Sequence, residues 1–214
     1  HRDLHRLIRR QRQMCIRDRN RHVYTQLKLE HPKLKIFPTV QYEHLRGIED
    51  ESKGKRSLQE QGVRELMRHS DLLALSTYHF GVRHNPVRED FFESALSFGK
   101  PVAIAETGAF SRNITISGTE FEGSERDQRD FLNLLLQKGK THLFPFIINF
   151  IAIDYDRMLP KLPEDIREIS KVWVSTGLAD AAGRGKAALE LWDSYLRLPR
   201  SPRSPAGLKS RIQF

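Results

Sequence analysis

Cysteine is almost missing from this sequence: Cys15 is the single one in 214 residues. That excludes an internal disulfide framework and a cysteine-based zinc site, and it leaves the compartment open. Nowhere do about 18 apolar residues follow one another, so no membrane-spanning helix and no membrane partner is expected. The first 22 residues are too rich in arginine to hold the apolar centre of a secretion signal. Nine histidines occur without HExxH or another known ligand spacing, so the sequence offers no metal centre and implies no cofactor. Asparagine nowhere directly precedes glutamate.

Basic charge is present, but at the ends. Residues 1–22 hold eight arginines against Asp3 and Asp18, and residues 197–214 hold five basic residues and no acid. The whole chain carries +9, which leaves residues 23–196 at −2. A nucleic-acid footprint belongs instead on one folded face, so a basic nucleic-acid-binding protein is the weaker of the readings.

The ends also differ in pattern from the middle. Arg10 to Arg19, and Met14 to Arg19 most closely, resembles a translated sequencing-adapter peptide of the kind that enters metagenomic gene models. Residues 1–22 are therefore expected to be a non-native or disordered leader, with a basic, frayed helix striped by Leu4, Leu7 and Ile8 as the alternative. Leu198 to Gly207 carries three prolines and no apolar periodicity, so residues 197–214 are expected to form an extended, solvated tail.

Residues 23–196 are more regular. Apolar strand candidates run over Leu34–Val40, Asp71–Tyr78, Pro101–Ala105 and Phe144–Ile153. Helical patterns lie between and after them: Ser57–His69, a stretch from Phe91 that ends at Gly99, Asp127–Gln137 closed by Gly139, and Lys186–Leu196. Strands that are apolar on both faces, alternating with amphipathic helices, imply a parallel sheet covered on each side, which is the α/β class. The strand starts near 35, 71, 101 and 145 are 36, 30 and 44 residues apart, and eight such units would need about 290 residues, the size of a decorated eight-stranded barrel. Four units predict half of one. A doubly wound sheet would instead place a glycine-rich phosphate loop after the first strand, and Val40-Gln-Tyr-Glu-His44 is nothing of the kind.

In a β/α barrel the reacting groups stand at the carboxyl ends of the strands. Read outward, those positions hold Gln41, Glu43 and His44; Tyr78 and His79; Glu106 and Thr107; and Asn149, Asp154 and Tyr155. Glu106 is the most informative, because it follows five residues without side-chain polarity, where a carboxylate costs several kcal/mol of desolvation unless hydrogen bonds or a function compensate. A carboxylate capping the turn after Gly108 is the bland alternative.

The segment Gly99-Lys-Pro-Val-Ala-Ile-Ala-Glu-Thr-Gly108, with Leu75-Ser-Thr-Tyr78 one unit earlier, resembles clan A glycoside hydrolases, the retaining β/α-barrel glycosidases. Within that clan the likeness is nearest to arabinogalactan endo-β-1,4-galactanase-like proteins. It runs from about Tyr24 to Tyr195 and includes Trp173-Val-Ser-Thr-Gly-Leu178 and Lys186-Ala-Ala-Leu189 with Trp192. The resemblance implies that the four strands are strands five to eight of a (β/α)8 TIM barrel. It makes Glu106 the nucleophile and Tyr78 the tyrosine that hydrogen-bonds and orients it. It also implies an acid/base glutamate preceded by asparagine at the end of strand four, which would lie upstream of Val23.

A retaining glycosidase needs two carboxyl groups about 5–5.5 Å apart, one to attack and one to protonate the leaving oxygen. Glu43 is the other carboxylate near a strand end, and a loop surface position suits it as well. The chain is therefore read as the carboxyl-terminal half of a glycosidase acting on an oligo- or polysaccharide, inactive by itself. His79, Asn149, Asp154 and Trp173 are candidates to line the sugar site, each with an equally good structural reading. Trp192 reads as core, and Asn113-Ile-Thr115 as a single acceptor sequon. A non-catalytic carbohydrate-binding barrel relative is the main alternative. Sugar, linkage and oligomeric state are not legible.

Overall fold

The computed structural model describes residues 2–46, 53–78 and 92–199. Its centre is a parallel sheet of four strands: β1 (Thr39–Gln41), β2 (Leu73–Tyr78), β3 (Val102–Gly108) and β6 (Ile147–Asn149). They lie side by side in the order β1-β2-β3-β6, all parallel. The order never reverses, as it would at the switch point of a doubly wound sheet, so the α/β fold fits part of a β/α barrel.

The apolar runs become strands because both of their faces are covered. On one face Leu73 and Leu75 of β2 and Val102 and Ile104 of β3 share a core with Phe131, Leu132 and Leu135 of α5 (Glu125–Thr141) and Ala188 of α7 (Ala187–Leu196). Val63 and Met67 of α3 (Lys53–Met67) and Tyr42 and Leu45 of α2 (Tyr42–Arg46) complete it. On the opposite face sit the small Ala74 and Ala103 with Leu72. Phe37 and Phe146, just before the two edge strands, fold over these alanines with ring centroids 5.6 Å apart. Burying each large side chain contributes about 1.5–3 kcal/mol.

Several boundaries differ from the sequence reading. The first strand begins at Thr39 because Leu34 is exposed, and Lys28 and Asp71 take up the Leu34 carbonyl and the Ile36 N–H. The fourth spans only Ile147–Asn149, since Asp154 has left the sheet to bond the Ala179 carbonyl. The third extends through Glu106 to Gly108. A β-hairpin stands where the sequence reading has no element: β4 (Ile114–Ile116) and β5 (Thr119–Phe121) are joined by Ser117 and Gly118, both left-handed at φ 48° and 76°. It packs through Phe110, Ile114 and Ile116 on Val174, in a cluster apart from the main core. The short helices α4 (Glu93–Leu96) and α6 (Glu164–Ser170) complete the elements.

The expected disordered leader is corrected: α1 (Arg2–Glu30) is one unbroken helix across the boundary at residue 22. It is docked from within that segment, where Arg17 pairs with Glu65 and the Asn20 side chain donates to the His69 carbonyl at 3.0 Å. Further along, Lys28 pairs with Asp71 at 2.8 Å. Residues 200–214, most of the expected tail, lie outside the described residues.

Candidate active site

The pairing of β2 with β3 contains a one-residue bulge: Leu75 is level with Ile104, but Ser76 is level with Glu106, which leaves Ala105 unpaired. Side chains on a strand alternate between faces, so without the bulge Glu106 would follow Val102 and Ile104 into the helix-covered core. The extra residue turns it to the other face, with Ser76 and Tyr78, at the carboxyl end of the sheet.

There Tyr78 donates its hydroxyl to Glu106 Oε1. Both residues are half-buried. Burial pushes the Tyr78 hydroxyl well above the ordinary phenol value of 10.0; the Glu106 hydrogen bond and the Glu106 and Glu43 charges push the same way, and the Trp173 indole pulls against them. Tyr78 is thus held as a neutral donor facing a carboxylate. Trp173 stands beside the pair, its ring edge-on to Phe150 at 5.7 Å and to Tyr155 at 6.4 Å. Of the sequence candidates, the geometry brings together Glu106, Tyr78 and Trp173.

Others are engaged elsewhere. Asn149 is level with Thr107, hence on the helix side, and its amide donates to the carbonyls of Ile151 at 2.9 Å and Thr176 at 3.2 Å. Its expected role in binding sugar gives way to one in joining two main-chain segments. Asp154 is corrected likewise: its carboxylate is fully buried, 2.7 Å from the Lys186 ammonium, and accepts the Gly177 N–H at 2.9 Å. Burial drives the Asp154 carboxyl upward, and Lys186, Gly177 and the Arg112 charge offset that only in part. Lys186, which the sequence presents only as part of the Lys186-Ala-Ala-Leu189 motif, also donates to Ser111 Oγ at 2.8 Å and the Gly177 carbonyl at 2.9 Å. His79 lies outside the described residues.

Glu43 is no loop surface residue. Only 2% exposed, it accepts hydrogen bonds from Thr77 Oγ1 at 2.6 Å and the Tyr78 N–H at 2.9 Å. One Glu43 oxygen thus holds the end of β2 through both a side chain and the main chain. Among the described residues, no group of three or more His, Cys, Asp or Glu side chains is placed to hold a metal ion, and no helix is long and apolar enough to cross a membrane.

The fold is similar to part of several solved glycoside hydrolase structures. The chain aligns with an active-site mutant of the Rhizomucor miehei β-1,3-glucanosyltransferase in complex with laminaritriose at a TM-score of 0.53 and 16% identity. The glycoside hydrolase family 17 β-1,3-glucanosyltransferase from the same organism aligns at 0.53 and 15%. A Bifidobacterium dentium β-glucuronidase complexed with coumarin-3-O-glucuronide aligns at 0.54 and 16%. The alignments cover 82%, 80% and 86% of this chain but only 56%, 56% and 28% of those proteins, so the chain spans about half the length of the glucanosyltransferases. No protein-family model matches the sequence, and no curated protein does.

Proposed function

We propose that this chain carries the nucleophile of a retaining β-glycosidase of the clan A type, with a saccharide as substrate. The observation that supports it is the hydrogen bond from Tyr78 to Glu106 at the carboxyl ends of adjacent parallel strands, on the face turned away from the helices. In this reading Glu106 attacks the anomeric carbon to form a glycosyl-enzyme, Tyr78 holds the attacking oxygen in place, and Trp173 offers its ring to the sugar. In this reading the four strands of the parallel sheet, β1, β2, β3 and β6, are strands five to eight of a barrel, and residues 23–196 form its partial body.

In the same reading the second carboxyl group belongs to βα units outside this sequence; Glu43, one oxygen of which already accepts Thr77 Oγ1 and the Tyr78 N–H, is not given that part. The chain alone therefore turns over no ordinary glycoside. A glycoside with a dinitrophenyl leaving group needs no acid to depart, so the first half of the reaction stays open to it. Incubation with 2-deoxy-2-fluoro-β-glycosides bearing that leaving group, followed by peptide mass spectrometry, tests the assignment. The expected result is a glycosyl adduct on Glu106 that Glu106→Gln abolishes. An adduct on another carboxylate, or none across gluco-, galacto- and glucurono-configured reagents, overturns it. Steady hydrolysis of a nitrophenyl glycoside that depends on Glu106 would keep the nucleophile and overturn the inactivity of the isolated chain.

A further inference from the structure

A buried carboxylate costs several kcal/mol unless something compensates it, and Glu43, with no part in the proposed chemistry, is nearly inaccessible. Its surroundings hold it rigidly. Tyr42, its neighbour in α2, is fully buried, stacks on Phe92 with ring centroids 5.6 Å apart and shares a hydrogen bond of 2.7 Å with Ser94 Oγ. Leu45, two residues on, lies in the main core.

From this fixed point the carboxylate reaches the last two residues of β2, through one oxygen that accepts both Thr77 Oγ1 and the Tyr78 N–H. Thr107 Oγ1 in turn donates to the Thr77 carbonyl at 2.7 Å and ties β2 to β3 at the same level. One helix and two neighbouring strand ends are thereby linked in one line of hydrogen bonds: Glu43 in α2, Tyr78 on β2, Glu106 on β3.

We infer that Glu43 is a positioning residue, which fixes the carboxyl end of β2 so that the Tyr78 hydroxyl points at Glu106. The assignment deepens the glycosidase reading, on which its catalytic meaning rests, but the geometry it asserts can be measured without any turnover. Glu43's contribution is the acceptor oxygen. An amide oxygen in the same place does the same work, whereas a methyl group frees both donors and lets the end of β2 drift.

Proton NMR of the Tyr78 hydroxyl tests this, with the signal assigned by its loss in Tyr78→Phe. Glu43→Ala is expected to move the resonance upfield and to speed its exchange with water about tenfold, the scale of one lost hydrogen bond to a charged group. Glu43→Gln is expected to retain the wild-type signal. A folded Glu43→Ala protein with the hydroxyl unchanged overturns the assignment, as does a Glu43→Gln protein that loses the signal as fully as Glu43→Ala. If Glu43→Ala does not fold, Thr77→Val removes one of the two donors; a smaller upfield move supports the role, and no move overturns it. Reagent labelling of Glu106 reads the glycosidase assignment separately: a moved hydroxyl with no label removes the nucleophile but keeps the positioning, and a label with an unmoved hydroxyl does the reverse.

Discussion

Tyr78 is level with Gly108 on the neighbouring strand, and its hydroxyl reaches back two residues along β3 to meet Glu106. Tyr78→Phe keeps the ring and deletes the donor. The rate at which a dinitrophenyl 2-fluoroglycoside labels Glu106 should fall by about 10- to 100-fold, as expected for one hydrogen bond to a charged group worth about 1.5–3 kcal/mol. Quantitative peptide mass spectrometry over a time course measures it, and an unchanged rate would show that the phenol does not orient the nucleophile.

Lys186 acts as a tethered internal cation. From the residue just before α7 it joins Ser111 after β3, Asp154 after β6 and the carbonyl of Gly177. Lys186→Met leaves the Asp154 carboxylate buried without its partner and should cost about 3–5 kcal/mol in urea unfolding. Changing both residues, Lys186→Met with Asp154→Leu, should recover more than half of that loss, because the uncompensated charge goes with the second substitution. A single variant within about 0.5 kcal/mol of wild type would mean that the pair does not hold these loops.

How much of this could be read beforehand follows from what each element depends on. β2, β3, α5 and α7 were legible because their apolar spacing is local and their burial continuous. Glu106 and Tyr78 were found as the first polar groups beyond those apolar runs. Their shared face was not legible, since simple alternation puts Glu106 with Ile104, and only the pairing of two strands reveals the bulge at Ala105. Asn149 and Asp154 misled for the converse reason: a polar residue near a strand end serves a ligand or the main chain, and long-range partners such as Thr176 and Lys186 decide which. The hairpin did carry a local signal, Ile-Thr-Ile, Ser-Gly, then Thr-Glu-Phe, but two strands of three residues are easily taken for a loop.

Asp71 ties down the end of α1, pairing with Lys28 at 2.8 Å and accepting the Tyr24 hydroxyl at 3.3 Å. Burial raises its carboxyl, but hydrogen bonds from Lys28 and the Ile36 N–H and the Lys28 and Lys35 charges outweigh this and hold it below the ordinary 3.8. The folded protein therefore binds the Asp71 proton less tightly than the unfolded chain does. Its stabilising effect is full above 3.8 and is lost as the pH falls through the lowered folded value. Hydrogen exchange in the last turns of α1 should accelerate below that range, and Asp71→Asn should show the accelerated exchange already at neutral pH. Equal exchange in both proteins at neutral pH would dissociate Asp71 from the docking of the helix.

Gly139 looks like a helix terminator from sequence, yet α5 runs on to Thr141, and the left-handed turn that follows falls on Leu143 at φ 55°. Gly139 is small for a different reason: a Cβ there would stand 2.5 Å from Ile147 Cδ1, where α5 crosses the edge strand β6. With open space at this position, Gly139→Ala inside a helix would stabilise the protein by about 0.5–1 kcal/mol. The atom met is the tip of the Ile147 side chain, so the same change turns that side chain out of its rotamer, and a cost of about 0.5–1.5 kcal/mol should cancel the gain. Ile147→Val removes the offending methyl, so Gly139→Ala with Ile147→Val should be more stable than the sum of the two single changes. A thermal-unfolding double-mutant cycle measures that coupling, and simple additivity would show that the helix and the strand do not meet at these two residues.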